Sequence, residues 1–142
     1  MWIVIKTDKK NFRILHQELK KFLGKDLDFY YPKFKLNEIF SKKRNIKEVN
    51  LLGNYVFCFH ENFKKKSIIR ELKFMKGLKY VLDGYEFYQK DILEFVSKCK
   101  ETEDKTGYLR QDLAELSINY KYKFIDGIFK NKIFKILNIK NK

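Results

Sequence analysis

The sequence predicts an α+β fold in which helices cover one face of a mostly antiparallel sheet, followed by a linker and a short β segment. Three observations predict it. Over the first hundred residues, short runs of β-forming residues alternate with runs whose apolar residues recur at helical spacing. Two apolar runs flank the polar stretch Ser41-Lys42-Lys43-Arg44-Asn45, the pattern of a hairpin with a basic tip. From Lys100 to Asn119 a single aromatic remains among polar residues and Gly107, the composition of a linker.

Taken in order, Trp2-Ile3-Val4-Ile5 reads as a first strand. Asp8 suits the cap of a helix whose Phe12, Leu15, Leu19 and Phe22 fall on one face, with Gly24 just past its end. A second strand runs from Leu27 to Tyr31 and stops at Pro32, which has no N–H for a sheet ladder. The hairpin follows over Lys33 to Val49, and then Tyr55 to Phe59, the most apolar strand and the expected sheet centre. Asn62 suits the cap of a second helix carrying Ile68, Ile69, Leu72 and Met75, ended by Gly77. Leu78 to Leu82 is a strand, and Asp91 to Cys99 a last helix with Ile92, Phe95, Val96 and Cys99 on one face. Within the linker, Leu109, Leu113 and Leu116 share helical spacing. Beyond it, two strands are expected around Asp126-Gly127, and with six net positive charges in residues 117–142 they make no independently stable domain.

Composition narrows the function. The chain has 142 residues, 44% hydrophobic and 17% aromatic, enough for a packed core. Its net charge of +14 favours polyanionic partners, although a composition rich in Lys, Ile, Phe, Asn and Tyr is also what AT-rich coding produces. The charge is polarised: residues 1–60 carry +7, 61–116 carry +1 and 117–142 carry +6. No apolar run approaches the roughly 20 residues of a membrane span, and apolar Met1 to Ile5 precedes Lys6, Asp8, Lys9 and Lys10, the reverse of a signal peptide. A cytoplasmic protein without membrane association is expected.

No catalytic constellation is legible, so the chain reads as a binding module rather than an enzyme, with no cofactor and no metal. Cys58 and Cys99 lack C-x-x-C spacing and suit small buried hydrophobes. His16 reads as a solvated helix residue; Cys58 and His60 share a strand face by spacing, which packing accounts for better than a nucleophilic dyad. Glycine fingerprints for nucleotides are missing. Aromatics on a central strand would suit an RRM, but its consensus needs an aromatic at Asn54 and a small residue at Tyr55. The basic tip Lys42, Lys43 and Arg44 is a candidate contact for nucleic-acid phosphates.

Four stretches, in order over about 100 residues, resemble the NusG-type transcription elongation factors, built from an NGN domain, a linker and a KOW domain. Trp2-Ile3-Val4-Ile5 is similar to the family's W-Y-V-V start, and Tyr30-Tyr31-Pro32 to the close of its second strand. Leu51-Leu52-Gly53-Asn54-Tyr55-Val56-Phe57 resembles F-F-P-G-Y-V-L/F, and Lys79-Tyr80-Val81-Leu82-Asp83-Gly84 resembles V-x-G-F-V-G. Further on, Phe124-Ile125-Asp126-Gly127-Ile128-Phe129 is similar to the KOW opening V-x-D-G-P-F. The resemblance implies an NGN-like sandwich over residues 1–100 that binds RNA polymerase, a linker over 101–118, and a partial KOW-like segment over 119–142, with the chain ending at Lys142 about two strands into a KOW barrel.

It further implies a monomeric factor, housekeeping or a specialised paralogue, that grips the clamp helices of the largest polymerase subunit and modulates pausing, termination or antitermination. Leu52 and Tyr55 would form the apolar clamp-binding patch, with Trp2 beneath or beside it. Lys42, Lys43 and Arg44 would face upstream or non-template DNA. Asp126, Gly127 and Phe129 would make the KOW turn, and a complete KOW domain would recruit Rho or a ribosomal protein. A free-standing basic RNA- or ribosome-binding protein accounts for the charge equally well.

Overall fold

The computed structural model describes residues 1–40, 43–110, 121–123 and 133–135. The fold is α+β. The chain divides into two compact units: residues 1–31 with 54–94, and residues 32–53 with 95–142.

The first unit holds β1 (Trp2–Thr7), α1 (Phe12–Leu23), β2 (Asp28–Tyr30), β5 (Tyr55–Phe59), α2 (Lys66–Leu72) and β6 (Leu78–Val81). Their four-stranded sheet has the order β2-β5-β1-β6, and every pairing is antiparallel. Each helix thus links two strands that are not neighbours, the βαββαβ arrangement of the ferredoxin-like split βαβ motif. β1 and β5 are central because they are the most apolar strands, and only a strand paired on both edges buries both faces. Ile3, Val4, Val56, Phe57 and Cys58 are inaccessible to solvent, and each such apolar side chain contributes about 1.5–3 kcal/mol by leaving water.

Register sorts the side chains. Ile3 pairs with Cys58 and Cys58 with Phe29, so these three share one face. That face is covered by α1: Phe12 meets Phe29 edge-on at 5.5 Å, and His16 stacks on Phe29 at 4.2 Å. Leu15 and Leu19 are buried as their spacing predicts, whereas Phe22, one turn further, is 41% exposed. The expected solvated His16 is therefore half-buried, and desolvation together with the charge of Lys20 lowers its pKa. On the other face, Trp2 pairs with Phe59 and Lys6 with Tyr55. There the first turn of α3 (Gln89–Glu101) adjoins Trp2 and Phe59.

Local signals account for the ends of the elements. Asp8 caps a 3-10 turn (Lys9–Asn11) by accepting from the Lys10 N–H, and that turn feeds α1. His60, not Asn62, caps the second helical region: its Nδ1 accepts from the Asn62 N–H at 3.1 Å and starts a 3-10 turn (Glu61–Lys64). α2 then closes at Leu72, short of Gly77. Gly77 instead sits at φ +93° directly against Asn11.

The second unit contains the hairpin of β3 (Lys33–Phe40) and β4 (Lys43–Asn50), in register from Lys33 with Asn50 to Phe40 with Lys43. Phe34, Val49 and Leu52 are buried. Residues 102–110, within the stretch expected to be a linker, form a turn closed by an isolated bridge of Glu103 with Leu109. Asp104 Oδ1 accepts from the hydroxyl and N–H of Thr106 and from the Tyr108 N–H, and these bonds hold its carboxyl below the usual range. The Leu109 N–H donates to the Lys33 carbonyl at 2.8 Å, and Leu109 is buried. The Tyr108 hydroxyl donates to Glu48 at 2.9 Å, with Lys33 and Lys35 over its ring. Farther on, β7 (Lys121–Lys123) pairs antiparallel with β8 (Ile133–Lys135), the two strands expected to flank Asp126-Gly127.

Candidate functional site

The motif residues Trp2 and Tyr55 are set by neighbouring strands on one sheet face, with the Val4–Phe57 pair between them. Lys6 pairs with Tyr55 on one side and with Tyr80 on the other, which aligns all three across β5, β1 and β6. The Tyr55 and Tyr80 hydroxyls lie 3.0 Å apart, and Lys6 Nζ sits 4.5 Å from the Tyr55 ring centroid. An ammonium over an aromatic face gains about 0.5–1 kcal/mol at such a rim. Tyr80 is 42% exposed, but Tyr55 is only 7% exposed.

Exposure thus departs from the sequence expectation of an open apolar patch. Tyr55 and Trp2 are buried, as is Leu52 in the other unit, where its N–H donates to Asn50 Oδ1 at 3.0 Å. The physical reason is the run of apolar residues on β5: Tyr55, Val56, Phe57 and Cys58 are buried on alternating faces, so the strand is covered on both sides. What the sheet presents at this face is the edge of the aromatic row, Tyr80 and Lys6, with Tyr55 beneath.

A shallow depression of about 590 Å³ opens beside Trp2 and Phe59, walled by Gln89, Lys90 and Leu93 of α3. The two aromatic rings are 5.3 Å apart at 53°. Leu93 is 52% exposed at its rim. Gln89 is the residue that sequence reasoning missed: nothing in its local sequence marks it, yet its amide bonds the backbone of Trp2 from 87 residues away.

Of the basic tip, Lys42 lies outside the described residues, and Lys43 and Arg44 open β4 opposite Phe40 and Ile39. Asp126, Gly127 and Phe129 also lie outside the described residues. Cys58 is fully buried and desolvation, followed by the charge of Asp28, pushes its thiol far up, while His60 Nδ1 is occupied by the Asn62 N–H and its ring rests near Phe63. Among the described residues, no three His, Cys, Asp or Glu side chains are gathered to hold a metal ion, and no helix is long and apolar enough to cross a membrane. Compared with known proteins, the chain matches no family model and no curated protein.

Proposed function

We propose that this protein is a NusG-type transcription factor that docks on the clamp helices of the largest RNA polymerase subunit and modulates pausing, termination or antitermination. The observation that carries the reading is where the four family-like stretches fall. Trp2–Ile5 lies in β1, Tyr30-Tyr31-Pro32 at the exit of β2, Tyr55–Phe57 in β5, and Lys79–Val81 in β6: all four strands of one sheet. A long hairpin is inserted in chain order between the second and third of these strands.

In this reading the docking surface is the exposed rim of the aromatic face, Tyr80 and Lys6 at one end and Leu93 at the other, and Tyr55 and Trp2 form its floor. Aromatic residues at the centre of an interface dominate its energy, whereas their buried supports set shape. The tip Lys42, Lys43 and Arg44 reaches upstream or non-template DNA, the segment around Asp126, Gly127 and Phe129 belongs to a KOW-like module for Rho or a ribosomal protein, and the factor works as a cytoplasmic monomer.

Pull-down against core RNA polymerase and, in parallel, against ribosomes tests it. Polymerase capture is expected, weakened more than tenfold by Tyr80→Ala with Leu93→Ser, a loss of about 2 kcal/mol typical of an interface anchor. Tyr55→Ala is a poor probe because truncating a buried aromatic costs about 3–5 kcal/mol of stability. Capture of ribosomes with no retention of polymerase overturns the reading in favour of a free-standing RNA- or ribosome-binding protein.

A further inference from the structure

We infer that a second site, a groove between α2 and β6, binds a short stretch of single-stranded nucleic acid. It lies wholly within the first unit, shares only Tyr80 with the docking rim described above, and does not rest on the polymerase reading. The groove has a volume of about 610 Å³ and is lined by Lys66, Arg70 and Lys73 on one side and by Lys79, Tyr80 and Phe87 on the other.

The helix side is cationic by construction. Lys66, Arg70 and Lys73 are spaced i, i+4, i+7 along α2 and its last turn, which stacks them on one face. All three are exposed, and none is ion-paired among the described residues. A row of unneutralised cations in a concave surface concentrates its field on a polyanion. Lys79, exposed on β6, adds a fourth positive charge.

The opposite side is aromatic. Phe87 is 84% exposed and Tyr80 42%. Phe87 thus offers an open aromatic face on which a planar group can stack. Cations beside open aromatic faces are the combination that holds single strands, in which phosphates meet the charges and unstacked bases lie on the rings. A duplex keeps its base faces stacked internally and cannot use the rings. Asp83 and Glu86 also line the groove, on the same turn as Phe87. Their charge repels phosphates from the aromatic side, so the sugar–phosphate chain follows α2 and Lys79 while the bases point toward Phe87. The shared chemistry is a phosphodiester chain with free bases, in DNA or RNA.

Fluorescence anisotropy with labelled eight-nucleotide oligo(dT) and oligo(U) tests the site, using the full chain over a range of salt. Lys66→Gln/Arg70→Gln/Lys73→Gln should flatten the plot of log affinity against log salt by about 2, at about 0.7 per lost phosphate contact. Phe87→Ala should weaken binding about fivefold or more with an unchanged slope. The control Lys20→Gln/Lys21→Gln/Lys25→Gln removes the same charge from exposed positions on and just after α1 and should leave affinity nearly unaltered. With those losses, preference for one oligomer identifies its strand, and equal affinity for the two means that the groove takes both. Equal losses in the two triple variants, no effect of Phe87→Ala, or equal competition by duplex DNA or by polyglutamate overturns it. All substituted side chains are exposed, and thermal unfolding of each variant checks that a loss of binding is not a loss of fold.

Discussion

The side-chain amide of Gln89 completes the backbone pairing of Trp2: the Trp2 N–H donates to Gln89 Oε1 at 2.8 Å, and Gln89 Nε2 donates to the Trp2 carbonyl at 2.7 Å. The β6 ladder on that edge of β1 ends at Ile5 with Val81, and a further bond from the Leu82 N–H reaches the Val4 carbonyl. Beyond it, Gln89 acts as a one-residue surrogate strand. The same Nε2 also donates to the Tyr85 carbonyl at 2.7 Å.

Gln89→Ala therefore removes both side-chain bonds to the N–H and C=O of Trp2 beside a buried ring. Unmade bonds of this kind cost about 1–3 kcal/mol, and chemical denaturation should register that loss. The Trp2 amide should also exchange its hydrogen faster, while amides of Val56 to Cys58 keep their protection relative to global unfolding. An unchanged stability would mean that water replaces the amide at no cost.

Two glycines with positive φ should respond differently to alanine. At Gly77 a Cβ would come within 2.8 Å of the Asn11 carbonyl oxygen, on top of a φ of +93°. At Gly53, φ is +64° and the space is open. Gly53→Ala should cost about 1 kcal/mol from backbone conformation alone, and Gly77→Ala about 3 kcal/mol because the turn must also move. Equal midpoints in urea would contradict the difference.

His16 makes stability depend on pH. Its folded pKa is lowered below the ordinary 6.5, first by desolvation and then by Lys20, so the unfolded chain binds more protons and stability rises with pH. The contribution is fully present above about 6.5 and is lost as pH falls below that value toward the folded pKa. The midpoint for urea unfolding should fall between about pH 7 and pH 5.5, and His16→Phe, which keeps an aromatic ring on Phe29, should flatten that part of the curve.

Cys58 should resist a thiol reagent near neutral pH in the folded protein, because burial disfavours its thiolate. Cys99 is also buried, so both thiols should react at the rate at which the protein opens, and rapidly in denaturant. Fast labelling of either in the folded protein would point to a reactive thiol and reopen an enzymatic reading.

Period and punctuation in the sequence determined the elements. The apolar run Trp2–Ile5, the helical stripe through Leu15 and Leu19, the paired runs around residues 41–45 and the apolar run Tyr55–Phe59 each appear where local pattern puts them, because backbone geometry repeats every 2 or 3.6 residues whatever the rest of the chain does. The candidate site was legible only as a set of positions. Whether Tyr55 stands open or closed depended on what covers each face of β5, and the same stripe that buries Leu19 leaves Phe22 exposed. Burial is a property of neighbours brought together by folding, not of a residue and its spacing. Tertiary structure alone decided that His16 stacks on Phe29, that the Leu109 N–H bonds the Lys33 carbonyl, and that Gln89 pairs with Trp2. It also gathered Lys66, Arg70 and Lys73 opposite Phe87. The contacts of His16 with Phe29 and of Gln89 with Trp2 join groups distant in the chain that the strand order β2-β5-β1-β6 and its connections bring within reach.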